Sequence, residues 1–123
     1  IIITHGSIAK EAIKAKNILA NEGVKVGIIL VERLMPYCDL VGDVLNVLPT
    51  KECIILTLEE EIKSGGFGMM LMDKLTNYDI MKNKQTAIMA VEDTFADKYG
   101  ECILSSLRLD ADSIVARIKT IKK

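Results

Sequence analysis

Four short apolar runs punctuate the chain, at Ile1 to Thr4, Val24 to Val31, Cys53 to Leu58 and Thr86 to Val91. They are nearly continuous in apolar, largely β-branched residues and do not alternate with polar ones, the pattern of strands covered on both faces in a mainly parallel sheet. The intervening segments follow a helical period instead. Ile8, Ala12, Ala15 and Leu19 recur on one face, with Ser7 placed as N-cap and Gly23 as terminator, which predicts a helix over Ser7 to Asn21. A shorter helix is expected from Leu40 to Leu48, with Asp39 as its cap and Pro49 just past its end. A third, Met69 to Leu75, follows a glycine turn. Two more are expected at Glu101 to Leu107 and, behind Asp110 as cap, at Ala111 to Ile121, where Ile114, Ile118 and Ile121 share a face.

Strand and helix in alternation imply right-handed βαβ units. The expected fold class is α/β, a three-layer α/β/α sandwich around a mainly parallel sheet of about five strands. With 123 residues and no repeat, linker or low-complexity tract, residues 1–123 read as a single domain. The opening Ile-Ile-Ile-Thr-His-Gly-Ser starts within an apolar run and without Met, so we expect a piece of a longer polypeptide whose other domains lie upstream.

Composition narrows the function classes. Hydrophobic residues make up 50% and charged residues 27% of the chain, and 16 basic against 17 acidic residues leave a net charge of -1. That balance gives no electrostatic footprint for nucleic acid. No apolar run nears the roughly 20 residues of a membrane span. Cys38, Cys53 and Cys102 are widely spaced, and His5 is the single histidine, so neither a disulfide framework nor a cysteine–histidine zinc site is expected. Cys53 reads as a buried small hydrophobe, and this cysteine usage fits a reducing cytoplasm.

Candidate chemistry lies in the loops after the strands. Thr4-His5-Gly6-Ser7 precedes a helix, where free amides and the helix dipole favour an anion, but Gly6 alone is no GxGxxG fingerprint. His5 is the one side chain with an ordinary pKa near neutrality, and no nucleophile stands at a motif spacing from it. Ser-Gly-Gly-Phe-Gly is not a P-loop: Lys63 precedes the glycines and Met69 follows Gly68, and the carboxylates Glu59, Glu60 and Glu61 would repel phosphate. Gly65, Gly66 and Gly68 are better explained by positive φ and close backbone approach. Glu59 to Glu61 offer acid–base or hard-metal groups on paper. Strand alternation lets at most two face one way, and they are expected to be solvated or inter-domain carboxylates. No catalytic, cofactor-binding or metal-binding residue is expected in this segment.

Four blocks carry a resemblance: "THGSIAKEAIKAKNILANEGVKVGII", "VERLMPYCDL", "TLEEEIKSGGFGMML" and "VEDTFADKYGECILSSLRLDADSIVARI". In this order they resemble the C-terminal domain of the transketolase family, and within it the 1-deoxy-D-xylulose-5-phosphate synthase branch. The most specific is the third, similar to the family's Glu-Glu-x(4)-Gly-Gly-x-Gly segment. Departures are Pro36-Tyr37-Cys38 in place of Lys-Pro-Leu, Glu92 in place of a proline, and Arg108 in place of the glycine of Leu-Gly-Leu-Asp.

The resemblance implies a parent enzyme that condenses pyruvate with glyceraldehyde 3-phosphate, using thiamine diphosphate and magnesium held by upstream domains. This segment would then bind no cofactor and serve packing, inter-domain contacts and homodimer formation. His5, Gly6, Ser7, Arg33, Glu59, Glu60, Gly65, Gly66 and Gly68 are the residues expected at interfaces or at an incidental anion site. Rival readings are a C-terminal subunit of a split transketolase or 2-oxoacid dehydrogenase, and a freestanding module binding a small anion at Ser7.

Overall fold

In a computed structural model, residues 1–93 and 102–123 are described. Four strands form one sheet: β1 (Ile2–Thr4), β2 (Ile28–Leu30), β3 (Cys53–Ile62) and β4 (Lys84–Val91), ordered β2-β1-β3-β4. Every pairing is parallel; Ile3 stands beside Ile29 on one side and Thr57 on the other. The helices are α1 (Ala9–Asn21), α2 (Tyr37–Val47), α3 (Phe67–Leu75), α4 (Cys102–Ser106) and α5 (Ala111–Lys122), with a 3-10 turn at Asp79–Met81. No helix among the described residues is long and apolar enough to cross a membrane.

Two apolar cores lie on opposite faces of the sheet. On one face Ala12, Ala15 and Leu19 of α1 and Ile114, Val115 and Ile118 of α5 meet Ile2, Leu56 and Leu58. On the other, Val41 and Val44 of α2 and Phe67, Leu71 and Leu75 of α3 meet Ile3 and Ile55. This is the three-layer sandwich that the alternation implied. The described sheet has four strands in place of about five, because after β4 the apolar residues recur with a helical period and the chain returns to the sheet as α5 packed against α1.

Several boundaries differ from the sequence expectation for identifiable reasons. The β2 ladder shrinks to three residues, since Val24 and Val26 turn inward to pack on the α1/α5 core and pairing begins only after Gly27. Ser7 does not cap α1: the N-cap position is Ile8, with no side-chain capping bond, and the Ser7 hydroxyl is directed elsewhere. Asp39 lies inside the first turn of α2, whose N-cap position is Pro36. α3 starts two residues before Met69, at Phe67. Cys53 is half-buried instead of fully buried. The helix expected from Glu101 is observed as α4; Glu101 itself, with Phe95, Lys98 and Tyr99 of the closing resemblance block, lies outside the described residues.

The helix ends follow local rules. At α1, the Gly23 amide bonds to Ala20 O (3.0 Å) and the Val24 amide to Leu19 O (2.9 Å), while Gly23 takes φ +77°. This paired pattern needs a left-handed residue, which glycine adopts without steric cost. α4 ends the same way, with Arg108 to Ser105 (3.1 Å) and Leu109 to Leu104 (2.8 Å), but there the left-handed position, φ 58°, is held by Arg108. α5 is capped as expected: Asp110 accepts from the Ser113 amide at 3.1 Å.

Candidate functional site

β1 and β3 are the central strands, and the chain leaves them in opposite directions, to edge strand β2 on one side and β4 on the other. The crevice beyond their carboxyl ends is thus a topological switch point, where open parallel sheets place ligands. His5 follows β1 directly. β3 continues to Ile62, four residues past its expected end at Leu58, so Glu59, Glu60 and Glu61 belong to the strand, in a stretch where its register against β4 slips between Leu58 and Ile62.

Their contacts sort the carboxylates. Glu60 faces the start of α1 and accepts a 2.8 Å hydrogen bond from the Ser7 hydroxyl. Glu59 and Glu61 fall together with His5: one ligand-type atom from each lies within 4.8 Å of the others. His5 Nε2 stands 3.2 Å from Glu61 Oε2, an ion-pair distance, yet it makes no hydrogen bond among the described residues. The imidazole meets the Phe67 ring edge-on, centroids 4.9 Å apart at 77°, which fixes its plane.

Glu59 is fully buried, a correction to the expectation of a solvated or inter-domain carboxylate. The glycine turn explains how it is tolerated. Gly65 takes φ +75°, and α3 begins directly against β3, so that the Gly68 amide donates to Glu59 Oε1 at 2.8 Å. A Cβ on Gly66 would come 2.5 Å from Ile62 O, and one on Gly68 would overlap Thr57 Oγ1. Glycine is required at these two positions for the approach itself. Burial pushes the Glu59 carboxyl above its ordinary pKa; the amides of Gly68 and Phe67 oppose that shift, the neighbouring Glu61 charge adds to it, and His5 opposes it. Three buried polar atoms here have no hydrogen-bond partner among the described residues: Glu59 Oε2, Thr57 Oγ1 and His5 Nε2.

The other expected residues are placed apart from this cluster. Arg33, in the loop after β2, pairs with Asp39 at 3.2 Å, both side chains being exposed. Gly6 takes φ +71° in the β1–α1 turn. The amides that open α1 bond back into that turn, Ala9 to Gly6 O and Lys10 to Ser7 O, and Glu60 presents a carboxylate to Ser7. At the α3 start the Gly68 amide is taken by Glu59, and at the α1 start the amides of Ala9 and Lys10 are turned to backbone carbonyls with the Glu60 carboxylate beside Ser7.

A family model, "Transketolase, C-terminal domain", matches residues 1–114. The chain belongs to this family. Among curated relatives, the 1-deoxy-D-xylulose-5-phosphate synthases of Geobacillus thermodenitrificans and Chlorobium phaeovibrioides are each 30% identical over 125 residues, and that of Syntrophotalea carbinolica is 26% identical over 120. These alignments take in 97–98% of this chain but only 18–19% of each synthase, so the chain spans less than a fifth of their length. A solved structure titled "Split gene transketolase, inactive beta4 tetramer" shares the fold, with a TM-score of 0.78 at 21% identity over 98% of this chain and 38% of that one.

Within this transketolase C-terminal domain, two participants escaped sequence reasoning. Thr57, buried beneath Gly68, read as one more strand residue, and Phe67, which braces His5, read as part of the turn. A signal for the first was present: Thr57 and Glu59 are spaced by two along β3, and both lie against Gly68.

Proposed function

We propose that this chain is the C-terminal domain of a thiamine diphosphate-dependent transferase of the 1-deoxy-D-xylulose-5-phosphate synthase type. The parent enzyme would join pyruvate to glyceraldehyde 3-phosphate with loss of carbon dioxide, in the cytoplasm, and this domain would serve packing against upstream domains and a homodimer contact. The observation that carries the reading is the near-complete coverage of this chain by alignments to synthases several times its length. The interface role for His5, Gly6, Ser7, Arg33, Glu59, Glu60, Gly65, Gly66 and Gly68 belongs to the same proposal, with buried Glu59 and Gly68 acting by shaping the turn and not by touching a partner.

The residues present do not fit the cofactor. A diphosphate needs free amides and cations, whereas the amide at the start of α3 is taken by Glu59 and the turn before α1 faces Glu60. This supports the part of the proposal in which the rest of the parent holds the cofactor and this segment carries no catalytic step.

A second reading, a separately encoded C-terminal subunit, is favoured by the fold shared with a split-gene transketolase. A product assay distinguishes the two: 1-deoxy-D-xylulose 5-phosphate from pyruvate and glyceraldehyde 3-phosphate, formed by a single polypeptide containing this domain, supports the synthase. Activity that needs a separate partner chain supports the split form.

A further inference from the structure

We infer that His5, Glu59 and Glu61 form a binding site for a single divalent transition-metal ion, of the zinc or manganese kind, at the switch point between β1 and β3. This departs from the sequence expectation of no metal site, because only the fold brings His5 to the carboxylates. The first support is geometry. Zinc bound to nitrogen and oxygen at about 2.0–2.2 Å in a tetrahedral site sets its ligands roughly 3.3–3.6 Å apart. His5 Nε2 and Glu61 Oε2 are 3.2 Å apart, and all three groups lie within 4.8 Å, a spread that small side-chain rotations close.

The second support is independent of the cluster's spacing. Glu59 is fully buried and one of its oxygens, Oε2, has no hydrogen-bond partner among the described residues, while the other, Oε1, is fixed by the Gly68 amide. A carboxylate held by one oxygen and free at the other is oriented for monodentate coordination, as hydrogen bonds orient metal ligands generally. His5 Nε2 is likewise buried and makes no hydrogen bond among the described residues, with Glu61 Oε2 at 3.2 Å, and Phe67 fixes its ring. Two carboxylates at such close quarters repel, and a dication between them removes that repulsion and the cost of burying Glu59 uncompensated. Glu61 is 50% exposed, so the ion reaches the site from solvent and keeps water in its remaining position.

The mixed nitrogen and oxygen set selects the ion. Imidazole suits zinc, copper, iron and nickel, and carboxylate suits manganese, whereas magnesium and calcium prefer oxygen alone. The inference does not rest on the proposed enzymatic reaction, and neither does its test.

The test is calorimetric titration of the chelator-treated protein with Zn²⁺, Mn²⁺ and Mg²⁺, using Cys38→Ser as background to remove the exposed thiol. The expected result is one saturable Zn²⁺ or Mn²⁺ site, tighter than any for Mg²⁺, weakened about tenfold or more by His5→Gln and by Glu61→Gln. Both substituted residues are at least partly exposed, and circular dichroism verifies that each variant keeps the fold; Glu59→Gln serves as a third variant. The inference is overturned if no stoichiometric binding occurs, if Mg²⁺ binds in preference, or if folded variants bind as the parent protein does.

Discussion

The amide of Gly68 donates a 2.8 Å hydrogen bond to the buried carboxylate of Glu59. This one contact ties the amino end of α3 to β3 and makes the glycine turn a joint and not a ligand cradle. It assigns distinct roles to the three glycines. Gly65 supplies a left-handed φ in open space, whereas Gly66 and Gly68 supply the absence of a side chain.

Gly65→Ala is accordingly expected to cost about 1–2 kcal/mol, the usual penalty for a left-handed alanine. Gly68→Ala is expected to cost more, since its Cβ must displace Thr57 or Glu59 within the core. Urea unfolding of the two variants measures the difference, and equal losses would show that α3 can shift away from β3.

Removing the other partner tests the same contact. Glu59→Leu leaves the Gly68 amide buried without an acceptor and should cost about 1–3 kcal/mol by chemical denaturation. Glu59→Gln keeps an acceptor oxygen and removes a buried charge, and should retain most of the stability. A leucine variant as stable as the parent would show that the hydrogen bond contributes nothing net.

Arg108 holds the left-handed position that ends α4. Replacing it with glycine relieves a backbone conformation that costs a non-glycine residue about 1–2 kcal/mol, offset in part by the larger entropy of glycine in the unfolded chain. Arg108→Gly is therefore expected to raise the melting temperature. A fall would show that the arginine side chain makes a compensating contact.

Asp110 caps α5, and its carboxyl lies below the ordinary aspartate pKa: desolvation pushes upward, but the hydroxyl and amide of Ser113 and the Ser105 side chain outweigh it. For a carboxyl with a depressed folded-state pKa, the unfolded state binds more protons, so its stabilisation is present above the unfolded value of about 3.9 and is lost as pH falls through the folded value. Asp110→Ala should cost roughly 1 kcal/mol at pH 7, with the gap to the parent closing below about pH 4. A gap independent of pH would assign the effect to helix propensity and not to the charge.

The fold was largely legible because burial on both faces leaves a plain record: Ile2, Ile3, Ile55 and Leu56 are continuous apolar residues, and Ala12, Ala15 and Leu19 keep helical period. The glycine turn was legible as a bend for the same local reason, since its φ requirement is written in Gly65. The His5–Glu59–Glu61 cluster was not legible, as it joins the end of one strand to another more than 50 residues later and depends on parallel register. The misread cap at Ser7 has a similar origin. Its hydroxyl had a local use in the sequence and a tertiary one in the fold, and Glu60 on β3 took it.

The most direct test of the functional account is product formation by a polypeptide containing this domain together with upstream domains. Pyruvate, glyceraldehyde 3-phosphate, thiamine diphosphate and magnesium are supplied, and 1-deoxy-D-xylulose 5-phosphate is followed by mass spectrometry. The account expects this product from the long polypeptide and none from the 123-residue chain alone. A folded, cofactor-loaded polypeptide that forms no such product, or product made by the 123-residue chain by itself, would contradict it.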